Sequence, residues 1–91
     1  MELRWTEEAA NDLEHITEYL LEHAPERAAG LVWEIYHAPA ELLKFPLRGR
    51  PGKKEGTREL VLSRLPYIVV YRINRDMIQL VRILHGAQKW P

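Results

Sequence analysis

Helical periodicity dominates the first half of the chain. Thr6 is typical of a helix N-cap, and Glu7 and Glu8 after it suit the positive end of a helix dipole. Apolar residues then recur at steps of three and four, which predicts an amphipathic helix of about 17 residues. These positions are Ala9, Leu13, Ile16 and Leu20. Pro25 ends this helix and begins another, because proline is favoured at a first helical position.

The second predicted helix contains one residue that disfavours a continuous α-helix. Its apolar positions keep helical spacing at Ala28, Val32, Ile35 and Leu42. Pro39 lies inside this pattern, where it removes a backbone hydrogen bond and crowds the preceding turn. We therefore predict a kink or a break between Tyr36 and Ala40. The short connection at Pro25 makes the two helices an antiparallel hairpin.

Strand-like patterns dominate the second half. The prolines, glycines and basic residues of Pro46–Gly56 predict a loop, and a tight turn is predicted at Asn74-Arg75-Asp76. The predicted strands are Met1–Trp5, Thr57–Arg64, Tyr67–Ile73 and Met77–Leu84. Tyr67–Tyr71 is apolar on both faces, as in a central strand. We expect one domain over 1–91 with an α+β fold. It consists of a short N-terminal strand and a helical hairpin packed on a mainly antiparallel sheet of three to four strands.

The charge is divided between the two halves. The chain carries 13 basic and 13 acidic residues, but positions 1–45 hold three basic and ten acidic groups, and positions 46–91 hold ten basic and three acidic groups. This asymmetry indicates a basic surface that meets an anionic partner and an acidic face elsewhere. Simple solvation of exposed helices and strands explains the same charges equally well.

Several classes of site are excluded. The chain has no cysteine, so disulfides and thiolate chemistry are absent. Its histidines, at positions 15, 23, 37 and 85, lack metal-ligand spacing, and Ser63 lacks a nucleophile elbow. We expect neither a metal nor a cofactor. The longest apolar run, Leu65–Tyr71, is too short to span a membrane, and the N-terminus does not resemble a signal peptide, so cytoplasmic residence is expected.

A basic constellation on the strands remains. Cleavage of RNA by its own 2′-hydroxyl needs a base, an acid and cations around the phosphorane. Arg58, Arg82 and His85 are the candidates, with Glu59 as an alternative base. Side chains alternate along a strand, so Arg58 and Glu59 cannot face one site. The arginines could instead pair with helical carboxylates or coat an exposed sheet face.

In order and spacing, a series of short motifs resembles toxins of the RelE/ParE superfamily from type II toxin–antitoxin pairs. The motifs are Leu3-Arg4-Trp5-Thr6, Phe45-Pro46, Gly49-Arg50-Pro51-Gly52, Gly56-Thr57-Arg58-Glu59-Leu60, Pro66-Tyr67-Ile68-Val69 and Val81-Arg82-Ile83-Leu84-His85-Gly86. The ribonuclease branch carries lysines where this chain has Glu59 and Val61, and an arginine near Ile68. These departures favour the ParE-like branch, whose members bind DNA gyrase and trap it on DNA.

The resemblance implies a growth-inhibiting toxin that takes part in plasmid stabilisation. Its expected partners are a cognate antitoxin and DNA gyrase, with operator DNA bound only through the antitoxin. A ribosome-dependent mRNA endonuclease is the alternative, and a degenerate member that only binds antitoxin is a further one; whether the chain is an enzyme stays open. We expect the target or antitoxin to contact Arg48, Arg50, Lys53, Lys54, Arg58, Arg72, Arg82, Lys89 and Trp90. The sheet side is where the two partners are expected to compete.

Overall fold

A computed structural model describes residues 1–86 and Gln88. The elements are β1 (Glu2–Trp5), α1 (Glu7–His23), α2 (Pro25–His37), a 3₁₀ segment (Ala38–Leu43), β2 (Arg50–Pro51), β3 (Arg58–Val61), β4 (Tyr67–Asn74) and β5 (Met77–His85). The α+β architecture predicted from the sequence is confirmed. In the described part of the chain, no helix is long and apolar enough to cross a membrane.

The helical hairpin follows the predicted signals. The Thr6 hydroxyl caps α1 by accepting a hydrogen bond from the Ala9 N–H at 3.2 Å. Helix α1 runs for 17 residues, and Ala24 alone separates it from α2, which begins at Pro25. The antiparallel arrangement therefore places the C-terminal half of α2 beside the N-terminal half of α1.

The predicted break in the second helix is confirmed. The α-helix ends at His37, and the chain continues as a 3₁₀ segment from Ala38 to Leu43. Pro39 is buried near the start of that segment, where its missing N–H leaves no unpaired donor. The Leu42 side chain still points into the core and is 0% exposed. The change of helix type thus keeps the apolar face inward.

The sheet has the strand order β1-β5-β4-β3-β2, with β1 parallel to β5 and the other pairs antiparallel. Strand β4 is central, and Val69, Val70 and Tyr71 are each 0% exposed. The sheet exceeds the predicted three to four strands because Arg50–Pro51, inside the predicted loop, pairs with β3. Strand β3 is also shorter than the predicted Thr57–Arg64.

The core lies between the helices and one face of the sheet. Ala9 and Ile35 of the helices, both 0% exposed, pack in one apolar cluster with Leu60, Ile78 and Leu80 of the strands. An irregularity between Val70 and Tyr71 in the β4–β5 pairing adds one residue to β5. This bulge shifts the alternation of β5 so that both halves of the strand supply core residues.

Candidate functional site

The basic loop is fixed to the sheet by one buried tyrosine. The Tyr71 hydroxyl donates a hydrogen bond to the Pro46 carbonyl at 2.7 Å and accepts one from the Gly49 N–H at 2.9 Å. A Cβ atom at Gly49 would lie 2.6 Å from a Tyr71 ring carbon, so only glycine permits this approach. The loop therefore presents Arg48 and Arg50 from a defined position.

Two neighbouring residues of β3 face opposite sides of the sheet, as predicted from strand alternation. The Arg58 guanidinium donates to the Gly49 carbonyl at 2.7 Å and to the Leu47 carbonyl at 3.3 Å. Glu59 is 7% exposed and accepts hydrogen bonds from the Arg50 guanidinium at 2.9 and 3.0 Å. Arg58 thus holds the loop backbone, and Glu59 neutralises one of the loop cations.

Arg82 is bound to the first helix. Its guanidinium donates to the two carboxylate oxygens of Asp12 at 2.7 and 3.1 Å. The same carboxylate accepts a hydrogen bond from the Ile83 N–H at 2.9 Å. This backbone group of β5 lies beyond the end of β1, so Asp12 supplies the partner that β1 does not. The hydrogen bond from Asp12 raises the pKa of Arg82 above its ordinary value. This contact ties α1 to the sheet.

The other predicted contact residues are distributed over the surface. Arg48 pairs with Glu41 at 3.3 Å, and Arg72 donates to the Gln79 side chain at 2.8 Å. Lys53 and Lys54 are exposed in the loop. Lys89 and Trp90 lie outside the described residues.

The three catalytic candidates are not brought together. Arg58 lies opposite Tyr71 and Arg82 opposite Val70, so the two arginines flank β4 on opposite faces of the sheet. His85 is at the end of β5, edge-on to the Tyr67 ring at 5.7 Å. A small cavity of about 70 Å³ does collect Glu59, His85 and two loop cations, Arg50 and Lys53. In the described part of the chain no three acidic or histidine side chains form a metal-binding group.

Several apolar side chains, which the charge pattern did not reveal, are exposed, and one of them lies on the free edge of the sheet. Strand β2 pairs only with Arg58 and Glu59, which leaves the outer edge of β3 open at Val61. Val61 is 51% exposed. Elsewhere in the chain, Leu43, Phe45 and Leu47 are 42%, 56% and 67% exposed. Leu47, inside the predicted loop, was the one of these residues that the sequence marked as exposed.

A wider groove of about 610 Å³ opens between the helical hairpin and the ends of β4 and β5. Apolar side chains such as Ile16, Leu31 and Leu65 line it. Tyr67 also lines the groove, and burial raises the pKa of the Tyr67 hydroxyl.

Comparison with known proteins shows one family over nearly the whole chain. The family model for the ParE toxin of type II toxin–antitoxin systems (parDE) matches residues 3–90. The candidate toxin Y4kP of Sinorhizobium fredii is 42% identical over 89 residues, which are 98% of this chain and 92% of the relative. A chain from the chromosomal ParDE system of P. aeruginosa is similar with a TM-score of 0.86 and 33% identity, covering 93% of this chain and 95% of that one. A chain of the RelBE2 toxin–antitoxin complex of Mycobacterium tuberculosis gives a TM-score of 0.63 and 27% identity, covering 96% and 92%. The chain therefore belongs to the ParE family of type II toxin–antitoxin toxins.

Proposed function

We propose that this toxin acts in the cytoplasm by binding DNA gyrase and that a cognate antitoxin neutralises it. The observation that carries the non-enzymatic mechanism is the separation of Arg58, Arg82 and His85. Phosphodiester cleavage needs its base, acid and cations within hydrogen-bond reach of one phosphate. Two of the three candidates instead make hydrogen bonds within the fold, Arg58 to the loop and Arg82 to Asp12.

The antitoxin surface combines charge with an open strand edge. The loop presents Arg48 beside the exposed Val61 of β3, since both line one cavity. Arg50, Lys53 and Lys54 follow it in the loop. An extended segment of the antitoxin would add to this edge through backbone hydrogen bonds, with apolar side chains on Val61 and carboxylates against the loop. Its affinity would fall with salt because the contact is charged. Operator DNA would be contacted through the antitoxin.

Purified toxin, gyrase and DNA test the mechanism directly. We expect the toxin to increase gyrase-dependent DNA cleavage complexes and the antitoxin to abolish this effect. A Val61→Lys substitution should weaken antitoxin binding and leave the gyrase effect in place. The absence of cleavage complexes with a toxin that arrests growth would refute gyrase as the target.

An mRNA endonuclease is the second candidate, favoured by the cavity that gathers Glu59, Arg50, Lys53 and His85. A carboxylate, an imidazole and two cations could serve as base, acid and phosphate ligands. Translating ribosomes incubated with the toxin, followed by mapping of messenger ends, test it. Specific cuts that disappear in His85→Ala would establish this activity and refute the gyrase mechanism.

A further inference from the structure

Aromatic rings form a continuous series that runs from Trp5, at the end of β1, onto the exposed side of α2. Trp5 stacks on Tyr36 with centroids 5.4 Å apart, Tyr36 meets His37 edge-on at 5.1 Å, and His37 stacks on Trp33 at 4.1 Å. Trp33 is 61% exposed and Tyr36 is 50% exposed. The His37 Nδ1 atom lies 2.8 Å from the Trp33 carbonyl oxygen, which fixes the stack. Exposed and rigid aromatic rings of this kind are the commonest anchors of protein interfaces.

An acidic ridge runs along the outer side of the hairpin. Helical periodicity places its five exposed carboxylates opposite the core-facing residues: Glu7, Glu14, Glu18 and Glu22 on α1 and Glu26 on α2. Among the described residues none of the five forms an ion pair, and α1 contains neither lysine nor arginine. Like charges four residues apart, as at positions 14, 18 and 22, disfavour the helix. The ridge therefore lacks compensation within the described part of the chain.

The two features define the chemistry of a partner. Because the hairpin is antiparallel, Trp33 in the later half of α2 lies beside the earlier half of α1, which carries Glu7 and Glu14. Carboxylates around an aromatic centre match arginine and lysine side chains, which stack on aromatic faces and pair with acids. Nucleic acid is disfavoured because its phosphates would face this negative ridge.

We propose that the outer hairpin face, centred on Trp33 and flanked by the acidic ridge, is the surface through which this toxin contacts its cellular target. That target then presents a protein surface with arginine or lysine side chains around an apolar contact. The inference rests on the proposed function and extends it. It places the target on the helical hairpin, whereas charge alone predicts that target and antitoxin compete for the sheet side.

Trp33→Ala tests this assignment, with Tyr19→Ala as a matched control. Tyr19 is 56% exposed and stacks on His23 at 4.2 Å with the same four-residue spacing, but its side chain lines the groove beside the sheet. We expect Trp33→Ala to weaken gyrase binding about 30-fold or more, as an anchor residue does, and to abolish growth arrest on expression. Tyr19→Ala should retain both activities, and Trp33→Ala should bind antitoxin within about twofold of wild type, as expected outside the antitoxin surface.

Charge reversal supplies a second test. Glu18→Lys should weaken gyrase binding and reduce its dependence on salt, whereas Glu55→Lys in the exposed loop should do neither. The proposal is overturned if Trp33→Ala remains as toxic as wild type, loses antitoxin binding in parallel, or acts by dissociating a toxin dimer seen by light scattering.

The outcomes separate this inference from the function on which it rests. If the wild type arrests growth without binding gyrase and Trp33→Ala abolishes the arrest, gyrase is refuted and the hairpin surface stands. If the wild type binds gyrase and Trp33→Ala binds it equally, the surface is refuted and gyrase stands. A wild-type chain that neither arrests growth nor binds gyrase overturns both.

Discussion

The Tyr71 hydroxyl offers the sharpest test of how the basic loop is held. Tyr71→Phe removes one oxygen and leaves the ring in the core. The lost oxygen donates to the Pro46 carbonyl and accepts from the Gly49 N–H. Because Tyr71 is 0% exposed and Gly49 is buried, the abandoned N–H has no ready access to water. The substitution therefore combines two lost hydrogen bonds with one stranded buried donor.

The magnitude follows from those contacts. A buried donor without a partner costs about 1–3 kcal/mol, and a second hydrogen bond contributes about 1 kcal/mol. We expect Tyr71→Phe to lower the free energy of unfolding by about 2–3 kcal/mol. For a chain of 91 residues the total is about 5–14 kcal/mol, so the loss is a large share. The midpoint of thermal unfolding should fall by about 10 °C or more.

Urea unfolding followed by tryptophan fluorescence measures this loss. Tyr36→Phe is the matched control because its ring is 50% exposed, and it should change stability by less than about 0.5 kcal/mol. Tyr71→Phe should also weaken antitoxin binding, since the loop would no longer present its arginines from a fixed position. Stability within 0.5 kcal/mol of wild type would refute the anchoring role.

Four further substitutions probe three separate features of the fold. Asp12→Ala should lower the free energy of unfolding by about 2 kcal/mol or more, because it strands Arg82, whereas Arg82→Met should cost less in the same denaturation experiment; equal losses would contradict this. Gly49→Ala should lower the free energy of unfolding by about 1–3 kcal/mol, because the added methyl group would overlap the Tyr71 ring. An unchanged stability would show that the loop can move to accommodate the methyl group. Burial raises the pKa of Tyr67 above 10.0, so the native state retains this proton more strongly than the unfolded chain. That contribution is complete below about pH 10 and is lost as the pH rises through the native pKa, so wild type should lose more stability than Tyr67→Phe as the pH rises above about 10; parallel losses would refute it.

The sequence predicted the elements wherever a local signal was strong. Thr6 and Pro25 mark the starts of the two helices, and the interactions that favour those starts lie within one helical turn. Pro39 interrupts the α-helix because it lacks a backbone N–H. The short strand Arg50–Pro51 escaped prediction because two residues carry no periodicity. It forms only because β3 lies beside it, with Arg50 opposite Glu59.

The candidate site was harder to predict because its determinants are partners distant in the chain. Arg82 looks like a free cation in the sequence, yet its carboxylate partner, Asp12, is 70 positions away. Arg58 likewise contacts loop carbonyls that no residue pattern specifies. The exposure of Trp33 was also hidden, since its helical spacing does not show whether the outer face is covered. Alternation of Arg58 and Glu59, by contrast, is local geometry and was predicted.

The parallel pairing of β1 with β5 has a consequence for how the toxin is made. Glu2 pairs with Met77 and Trp5 with Leu80, so the first strand synthesised waits for the last. A nascent chain can form its helical hairpin early, but its sheet stays open until β5 leaves the ribosome, and closing so long a loop is entropically unfavourable until then. Chains truncated before Met77 therefore lack a partner for β1 and the strand that packs against α1. The sheet therefore closes only after Met77–His85 has been made.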